Sequence, residues 1–477
     1  MNLKSRRKLL QTGVAAALFA ASGVPVAAQQ RGHGGRLRVG VADGGPRDAW
    51  GHTAGGSAFM ALAGQGAVFD TLTEASEDGS LRGELALDWV PSEDASVWRL
   101  FLRDGVRFHD GSTFTSSDVV RSFAHHQEQP FSAPILQTIH SAIAVSSNEV
   151  RFVLEAGNPD FPWFLSDPSL IIHSERHLAG GGPQGVGTGL FRVDSFAPGQ
   201  RLLARRVSTH FKDSRAGWFD EVELLALPDE THRLQALVSG RVDVVNGLMG
   251  QTLARLKSDD RFAVQTVPDA EYIALECTGP DGLEMRATLA ALLNRPRLVG
   301  DALGELGRVG HDVPIPGASQ AYSEATAKPV PQELPIVLER SVGLAGARIV
   351  TALAGQMREH GIVFRLALPD EPAAVIVRRL PVRPLADWAW SDWAAISDTS
   401  RLLVQDHLLA ARAELDPTAR AGIYSDIAAL VRDCSSLLIP CFVANTLAYR
   451  RNLRLSGSTR HLLDLDGARI AERWWRA

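Results

Sequence analysis

Apolar and polar residues alternate along the stretch from Trp98 to Arg103, in the order WRLFLR. A period of two residues is typical of a β-strand whose two faces meet different environments. Asp104-Gly105 follows at once, and this dipeptide favours a two-residue hairpin because glycine accepts a positive φ. Val106 and Phe108 would then supply the apolar positions of the returning strand. The pattern therefore predicts a β-hairpin between residues 98 and 108.

A capped helix is predicted soon after this hairpin. A second Asp-Gly turn is followed by Thr115, which stands where a helix N-cap is expected, ahead of the apolar Val119 and Phe123. Asp118 lies three residues after Thr115, so it can accept a hydrogen bond from the cap backbone as the glutamate of a capping box does. The helix is expected to begin directly after Thr115.

The same reading finds a β-α-β unit late in the chain. Pro335–Leu338 and Ile362–Leu368 are short apolar runs, and Ala345–His360 between them has helical spacing of its apolar residues. Near the other end, Arg36–Val41 begins the ordered chain as a strand. The chain is therefore predicted to mix helices and strands throughout, without repeats.

Composition limits the classes of partner. The chain has 477 residues, 45% hydrophobic and 22% charged, with a formal net charge of −5. This length predicts about three domains of roughly 150 residues each. The negative balance argues against nucleic acid, because phosphate recognition needs clustered positive charge.

The N-terminus reads as an export signal. Ser5–Leu10, with the sequence SRRKLL, is of the twin-arginine type, and a short apolar run at Val14–Ala21 follows it. Cleavage is predicted after Ala28, which makes residues 1–28 the signal peptide. Removing four positive charges from a net −5 leaves −9 on the mature chain. The apolar run is shorter than the roughly 20 residues that span a bilayer. With no cysteine near the cleavage site, we expect a periplasmic protein without a lipid anchor or stable membrane insertion.

Three cysteines are too few for a disulfide scaffold, although an oxidising compartment would permit one bond. Cys277 would pair with Cys434 or with Cys441. The alternative is three free thiols.

Motifs for catalysis, metals and cofactors are weak. The glycines at Gly343 and Gly346 lack the spacing of a dinucleotide fingerprint. His173 and His177 are spaced to share a helical face, yet Glu175 is misplaced for a zinc protease motif, and His125-His126 points two ways on a helix. We therefore predict no catalytic residue, no metal and no cofactor.

The segment Arg383–Trp393, RPLADWAWSDW, carries the best candidate site. Three tryptophans, Trp388, Trp390 and Trp393, stand beside two carboxylates, Asp387 and Asp392. Carboxylate pairing and cation–π attraction can act on one ammonium group, so this surface would suit a ligand with an ammonium beside an apolar body. The alternative is that the tryptophans pack a core and the aspartates cap helices.

Several blocks of sequence resemble a known family. FLRDGVRFHDGSTFTSSDVVRSF, residues 101–123, closely resembles the hallmark of periplasmic substrate-binding proteins that serve peptide- and nickel-type ABC transporters. Further blocks in the family's order are residues 67–82, 185–199, 219–246 and 409–440. The resemblance covers roughly residues 36–477. Residues 205–211, RRVSTHF, depart from the family, which usually has an Arg-Asn pair before Tyr-Trp.

The resemblance implies a fold. It is a two-lobed α/β periplasmic binding protein of type II, similar to cluster C, with an extra domain and discontinuous lobes joined by hinge strands. Lobe 1 would comprise residues 29–73, 188–272 and 442–477. The extra domain would comprise 74–187, and lobe 2 would comprise 273–441.

The resemblance also implies a function. The chain would capture a small ligand by hinge closure, without enzymatic activity, and deliver it as a monomer to an inner-membrane ABC permease with its ATPase subunits. Ala386-Asp387-Trp388 aligns with the motif whose acid binds a peptide's α-ammonium, so a short peptide is the leading ligand. Trp50 and His52, in the segment 43–57, are weaker candidates. An opine, a sugar derivative or a metal chelate stays open as ligand. A ligand sensor or chaperone on the same fold and an exported hydrolase stay open as functions.

Overall fold

The computed structural model of the protein describes residues 32–46, 48–50, 57–128, 134–180, 185–317, 331–339, 342–368, 371–455 and 464–477. The predicted signal peptide, residues 1–28, lies outside the described residues. So does His52.

Strands are spread along the whole described chain. In chain order they are β1 Arg36–Val41, β2 Thr73–Ala75, β3 Leu81–Gly83, β4 Ala86–Pro91, β5 Val97–Leu102, β6 Ile139–Ser146, β7 Glu149–Leu154, β8 Phe191–Ala197, β9 Arg201–Arg206, β10 Glu221–Ala226, β11 Val244–Asn246, β12 Phe262–Cys277, β13 Gly307–Val309, β14 Glu333–Leu338, β15 Val363–Leu366, β16 Val375–Pro381, β17 Leu437–Arg450, β18 Leu453–Arg454 and β19 Trp475–Arg476.

Helices alternate with these strands, and most lie in the second half of the sequence. They are α1 Ala58–Ala63, α2 Ser116–Gln127, α3 Phe161–Phe164, α4 Glu175–Gly180, α5 Glu230–Ser239, α6 Gly250–Lys257, α7 Gly282–Leu292, α8 Arg295–Ala302, α9 Gly343–Glu359, α10 Ala386–Ala394, α11 Asp398–Ala413, α12 Pro417–Cys434 and α13 Ile470–Arg473. Within the described ranges, none of the helices has the length and apolar character needed to cross a membrane.

One sheet of eleven strands runs through most of the molecule, in the order β15, β14, β16, β12, β17, β11, β1, β10, β9, β8, with β13 also pairing β17. β12 and β17 are long antiparallel partners at its centre. β11 pairs with the Leu447–Tyr449 end of β17, whereas β16 pairs with the Glu271–Cys277 end of β12. These two strands therefore connect two halves of the sheet, and each half carries its own neighbours.

A separate four-stranded sheet, in the order β4, β5, β7, β6, packs against α2 and is called the small sheet unit below. The predicted strand at 98–103 is confirmed as β5, but the predicted hairpin is wrong. β4 and β7 occupy both edges of β5, so Val106–Phe108 cannot pair with it. Instead, residues 106–114 fold back on themselves through a bridge between Arg107 and Thr113.

Two local predictions are confirmed. Asp118 accepts a hydrogen bond from the backbone N–H of Thr115 at 2.7 Å, and α2 begins at the next residue. β14, α9 and β15 form the expected β-α-β unit, with the two strands parallel and Leu334 opposite Phe364. Both features depend on residues close together in sequence.

Four groups of buried apolar side chains hold the layers together. One lies between the sheet and helices α5 to α9, and a second encloses β1, α1 and the chain around Trp474. The third fills the small sheet unit, and the fourth lies under α10, α11 and α12. The tryptophan-rich segment therefore contributes to the interior of the protein.

The three cysteines are free thiols. Cys277 and Cys441 are buried in the central strands, and Cys434 is exposed. Burial raises the pKa of the Cys277 and Cys441 thiols to about 12, which keeps them protonated at neutral pH. No disulfide links these positions, so the alternative of free thiols is the one observed.

Candidate functional site

The two central strands contain an irregularity that divides the sheet. Val267 pairs with Asn445 and Glu271 with Val443, so three residues of β12 stand opposite one residue of β17. Asp269, in this β-bulge, has φ of 51°, a left-handed conformation that is uncommon outside glycine. Its Oδ1 lies 2.9 Å from Nε of Arg308 in β13. The bulge interrupts the β12–β17 ladder between the two halves of the sheet.

Helix α10 places the tryptophan-rich segment against the small sheet unit. Trp388 is 6% exposed and belongs to the apolar core of that unit, where its ring centroid lies 5.2 Å from that of Phe164. The guanidinium of Arg383 lies 4.5 Å from the ring centroid of Trp388. This tryptophan therefore joins the second half of the large sheet to the small sheet unit.

Trp390 and Trp393 lie on the opposite side of α10. Both are fully buried in the core under α10 to α12, with ring centroids 5.8 Å apart at a steep angle. Neither indole N–H has a hydrogen-bond partner among the residues that the structure describes. Their positions agree with the alternative reading as packing residues, and a ligand contact for them stays a prediction.

Asp387 is 1% exposed, and protein groups already surround its carboxylate. Nε of Arg412 lies 3.0 Å from Oδ1 and 3.1 Å from Oδ2. Nδ2 of Asn158, in the small sheet unit, donates to Oδ2 at 3.0 Å, and the hydroxyl of Ser391 lies 3.1 Å from Oδ1. Sequence reasoning missed Arg412 because it stands on a different helix, α11.

Two further ion pairs cross the same boundary. Nη1 of Arg383 lies 3.5 Å from Oδ2 of Asp167, and Nη1 of Arg420 lies 3.6 Å from Oδ2 of Asp160. Burial raises the pKa of the Asp160 carboxyl, and Arg420 offsets this only in part. We use the term domain contact for these pairs together with Asn158, Phe164, Asp387 and Trp388. It fixes α10 to α12 against residues 158–167.

Trp50 lies elsewhere. It is 7% exposed and packs on Phe196 and Phe69, at centroid distances of 4.7 and 5.8 Å, within the core around β1. That core is separate from the two cores that hold the tryptophans of α10. The structure therefore does not bring Trp50 together with Asp387, and a ligand contact for Trp50 stays a prediction.

A buried charge cluster, which the sequence did not reveal, links three distant parts of the chain. Nζ of Lys212 lies 2.7 Å from Asp70 and 2.8 Å from Glu472, and it also contacts Glu84. Arg469 binds both Glu84 oxygens and one of Glu472 at 2.7 to 2.9 Å. All five side chains are at most 2% exposed. The cluster joins the start of the small sheet unit to the region after β9 and to α13.

Electrostatics inside this cluster are tightly balanced. Burial alone would raise the pKa of Asp70, but Lys212 and His210 hold it well below its usual value. Burial raises the pKa of Glu84 despite the two cations beside it. For Lys212, the surrounding carboxylates outweigh burial and raise its pKa. The cations are therefore held in their charged forms.

The same carboxylates could hold a metal ion by spacing alone. Facing oxygens of Asp70, Glu84 and Glu472 lie within 4.8 Å of one another, the one such group found in the described part of the chain. The ammonium of Lys212 already contacts all three. The residues present therefore fit a lysine-centred structural joint better than a metal centre.

The histidines singled out in the sequence meet in space without forming a helical metal motif. His173 precedes α4, so it does not share a helix with His177. The rings of His125, His126 and His173 lie 5.6 to 5.9 Å apart. Nε2 of His126 is bonded to the carbonyl of Ile171 at 2.8 Å, and burial lowers the pKa of His126 to about 4. Burial also lowers the pKa of His173. The rings of His126 and His173 are therefore held neutral.

Comparison with known families decides what this architecture is. Residues 80–366 match the model of the bacterial extracellular solute-binding proteins, family 5, middle region, and this stretch is more than half of the chain. The chain belongs to this family. The family and its fold are those of binding proteins, not enzymes.

Curated relatives of this family-5 chain differ in role. The nickel-binding periplasmic protein of Escherichia coli (strain K12) is 23% identical over 299 residues, which cover 58% of this chain and 56% of the relative. The HTH-type transcriptional regulator SgrR of Salmonella typhi is 29% identical over 311 residues, 61% of this chain and 51% of the regulator. The chain spans about half the length of the curated relatives it matches.

Solved structures confirm the predicted fold. The PBP AgaA from A. tumefaciens R10, in complex with agropinic acid, superposes with a TM-score of 0.80. It is 21% identical and covers 93% of this chain and 99% of its own. The chain is therefore a two-lobed α/β binding protein of type II, as the sequence predicted.

Proposed function

We propose that the protein is the substrate-binding component of an ABC importer, which captures a small ligand by closure of its lobes. The observation that carries this proposal is the pair of long strands β12 and β17, which run through both halves of the sheet with a bulge at residues 268–270. Bending at such strands lets two rigid halves close on a solute, and ligand contacts to both halves then favour the closed state. We further propose that the boundaries between lobe 1, the extra domain and lobe 2 lie after residues 73, 187, 272 and 441.

The ligand and partners of the proposed importer follow from the family resemblance. A short peptide is the leading ligand, with Asp387 and Trp388 as candidate contacts and Trp50 and His52 as weaker ones. The relative named for nickel and the structure holding agropinic acid keep a metal chelate and an opine as further candidates. The partner would be an inner-membrane permease with its ATPase subunits. We propose that the protein acts as a monomer.

The proposed location is the periplasm, reached by the twin-arginine pathway and without a lipid anchor. The signal at Ser5–Leu10 supports this route. An export assay of residues 1–28 fused to a reporter, with Arg6 and Arg7 both replaced by lysine as control, would test it. Export that survives the double replacement contradicts the twin-arginine route.

Native mass spectrometry of protein purified from periplasm tests the central proposal. We expect one solute bound per chain, which re-binds after it is stripped by unfolding and refolding and which is recovered chemically unchanged. Conversion of that solute, followed with and without EDTA, would favour the exported hydrolase instead. If the protein carried no solute as purified and bound none after refolding, this would contradict an importer component.

Arg420→Met is expected to weaken binding of the co-purified solute by about 3- to 10-fold, because it removes an ion pair that holds the domain contact together. The pair is partly exposed, so the effect stays near 1 kcal/mol. Calorimetry measures the affinity, and small-angle scattering should show a larger radius of gyration without ligand. Arg432→Met on the same helix α12, whose partner Asp433 is exposed, is the matched control. Equal affinity and radius in both variants would contradict a role of the domain contact in closure.

A ligand sensor is the second candidate function. The likeness to SgrR, a transcriptional regulator, supports it. Deletion of the gene separates the two candidates. If the protein is an importer component, the deletion is expected to abolish uptake of the co-purified solute. If it is a sensor, the deletion would change expression of other genes and leave uptake by existing permeases intact.

A further inference from the structure

Asp387 has little capacity left to bind a ligand. A carboxylate offers about four lone-pair positions. Arg412 approaches both oxygens at 3.0 and 3.1 Å, Asn158 takes a further position on Oδ2 at 3.0 Å, and Ser391 lies beside Oδ1 at 3.1 Å. With 1% of the residue exposed, no open side of this carboxylate faces solvent.

Two groups of helix α10, the Ser391 hydroxyl and the Asp387 carboxylate, hold the guanidinium of Arg412 in this place. Its Nη2 donates to the hydroxyl of Ser391 at 2.7 Å while its Nε faces the carboxylate, and its side chain is 9% exposed. Ser391 is one helical turn after Asp387 on α10, and its hydroxyl lies 2.6 Å from the Asp387 carbonyl oxygen. The guanidinium therefore belongs to the same half of the protein as the carboxylate and does not depend on the domain contact.

We propose that Arg412 is a specificity-determining residue whose guanidinium permanently fills the cation position at Asp387. This inference rests on the proposed function and sharpens it. A solute that presents a free ammonium at this position finds the carboxylate already neutralised. The protein therefore selects solutes without an ammonium there, such as N-blocked peptides or acidic and neutral solutes.

Charge balance gives the physical reason. Asp387 and Arg412 form a one-to-one pair in a buried site, and a second cation added to one carboxylate would leave a positive charge there without compensation. Displacing Arg412 would strand its guanidinium in the interior instead. Both routes penalise an ammonium more than a neutral group of the same size.

The Asp387–Arg412 pair also explains how the domain contact forms without an ammonium group from a ligand. Asn158 donates to Asp387 Oδ2 from the small sheet unit, and Arg412 pairs with the same carboxylate and orients it. In a site designed for a ligand's ammonium, the ligand would supply this cation. Here the chain supplies it.

Chemical rescue of a truncated arginine tests the assignment without knowledge of the ligand. In Arg412→Ala, methylammonium or guanidinium ions at about 20 mM should bind the freed carboxylate and raise the melting temperature by a few degrees above a potassium control of equal ionic strength. Wild type, Arg412→Lys and the double variant D387N/R412A should show no such rise. Arg412→Gln, which keeps part of the aliphatic stem and a neutral amide donor, replaces Arg412→Ala if the latter does not fold.

A pair of dipeptide probes gives the second readout. Calorimetry compares Ala-Ala with N-acetyl-Ala-Ala: wild type is expected to bind the acetylated probe more tightly, and Arg412→Ala to prefer the free amine by about 10-fold or more, the scale of a charged hydrogen bond. A wild type that prefers the free amine overturns the assignment, and so does a lack of rescue by either ion in both Arg412→Ala and Arg412→Gln. Failure of the importer proposal would instead appear as absence of any bound solute, which the rescue of melting does not depend on.

Discussion

Replacing Lys212 with methionine is expected to lower the free energy of unfolding by about 3 to 5 kcal/mol, the cost of removing one partner from a buried ionic network. Asp70, Glu84 and Glu472 would lose the ammonium that contacts all three. Arg469 remains beside Glu84 and Glu472, but the partners left to Asp70 in the described part of the chain are weaker: Thr188 at 2.8 Å and His210 at 3.6 Å. Urea unfolding at neutral pH measures the loss.

The matched control for this variant is Lys257→Met. Lys257 also pairs with a glutamate, Glu305, but both side chains are well exposed, at 42% and 71%. Exposed pairs contribute less than about 1 kcal/mol, so the control should unfold close to wild type. If Lys212→Met lost no more stability than Lys257→Met, the cluster would not be a structural joint.

Acidification is expected to destabilise the protein between about pH 6.5 and pH 4, by about 3 kcal/mol from His126 alone. Burial lowers the pKa of His126 to about 4 in the folded chain, whereas the unfolded chain titrates near its ordinary value of 6.5. In this window the unfolded state binds the proton and the folded state does not. Stability from His126 is therefore complete above pH 6.5 and is lost as the pH falls toward 4. The lowered pKa of His173 acts in the same direction.

The measurement is a series of urea unfolding curves from pH 7 to pH 4.5 on wild type and His126→Gln. Glutamine can still donate to the carbonyl of Ile171, which accepts from Nε2 in the wild type, but it does not titrate. The variant should lose markedly less stability over this range. His140→Gln, at an exposed histidine, should follow wild type. Equal slopes for His126→Gln and wild type would show that His126 is not held neutral.

Local features of the fold could be read from the sequence, whereas strand pairing could not. The β-α-β unit at 333–366 and the cap at Thr115 depend on residues within a few turns of one another. The choice of neighbours for β5 depends on β4 and β7, and β7 is about 50 residues away. The Asp104-Gly105 turn exists, with Gly105 at φ of 74°, but it does not decide which strand fills the edge.

Local composition indicates the candidate site but not the partners that other parts of the chain bring to it. Three tryptophans in eleven residues draw attention to α10, yet nothing near Asp387 indicates that Arg412, 25 residues later, will neutralise it. The charge cluster gave even less signal, because its members at 70, 84, 212, 469 and 472 are each ordinary in their local sequence. The departure from the family pattern at residues 205–211 lies just before Lys212 and was the one pointer to it.

The placement of Glu472 and Arg469 also sets an order of events during synthesis. Glu472 is made 260 residues after Lys212, and a ribosome adding about 5 to 20 residues per second needs more than about ten seconds to reach it. Through that interval Lys212 has only the carboxylates at positions 70 and 84 available. The joint that holds the small sheet unit is therefore completed after translation of α13. A nascent chain stalled before residue 469 should expose this unit to protease, and the completed chain should not.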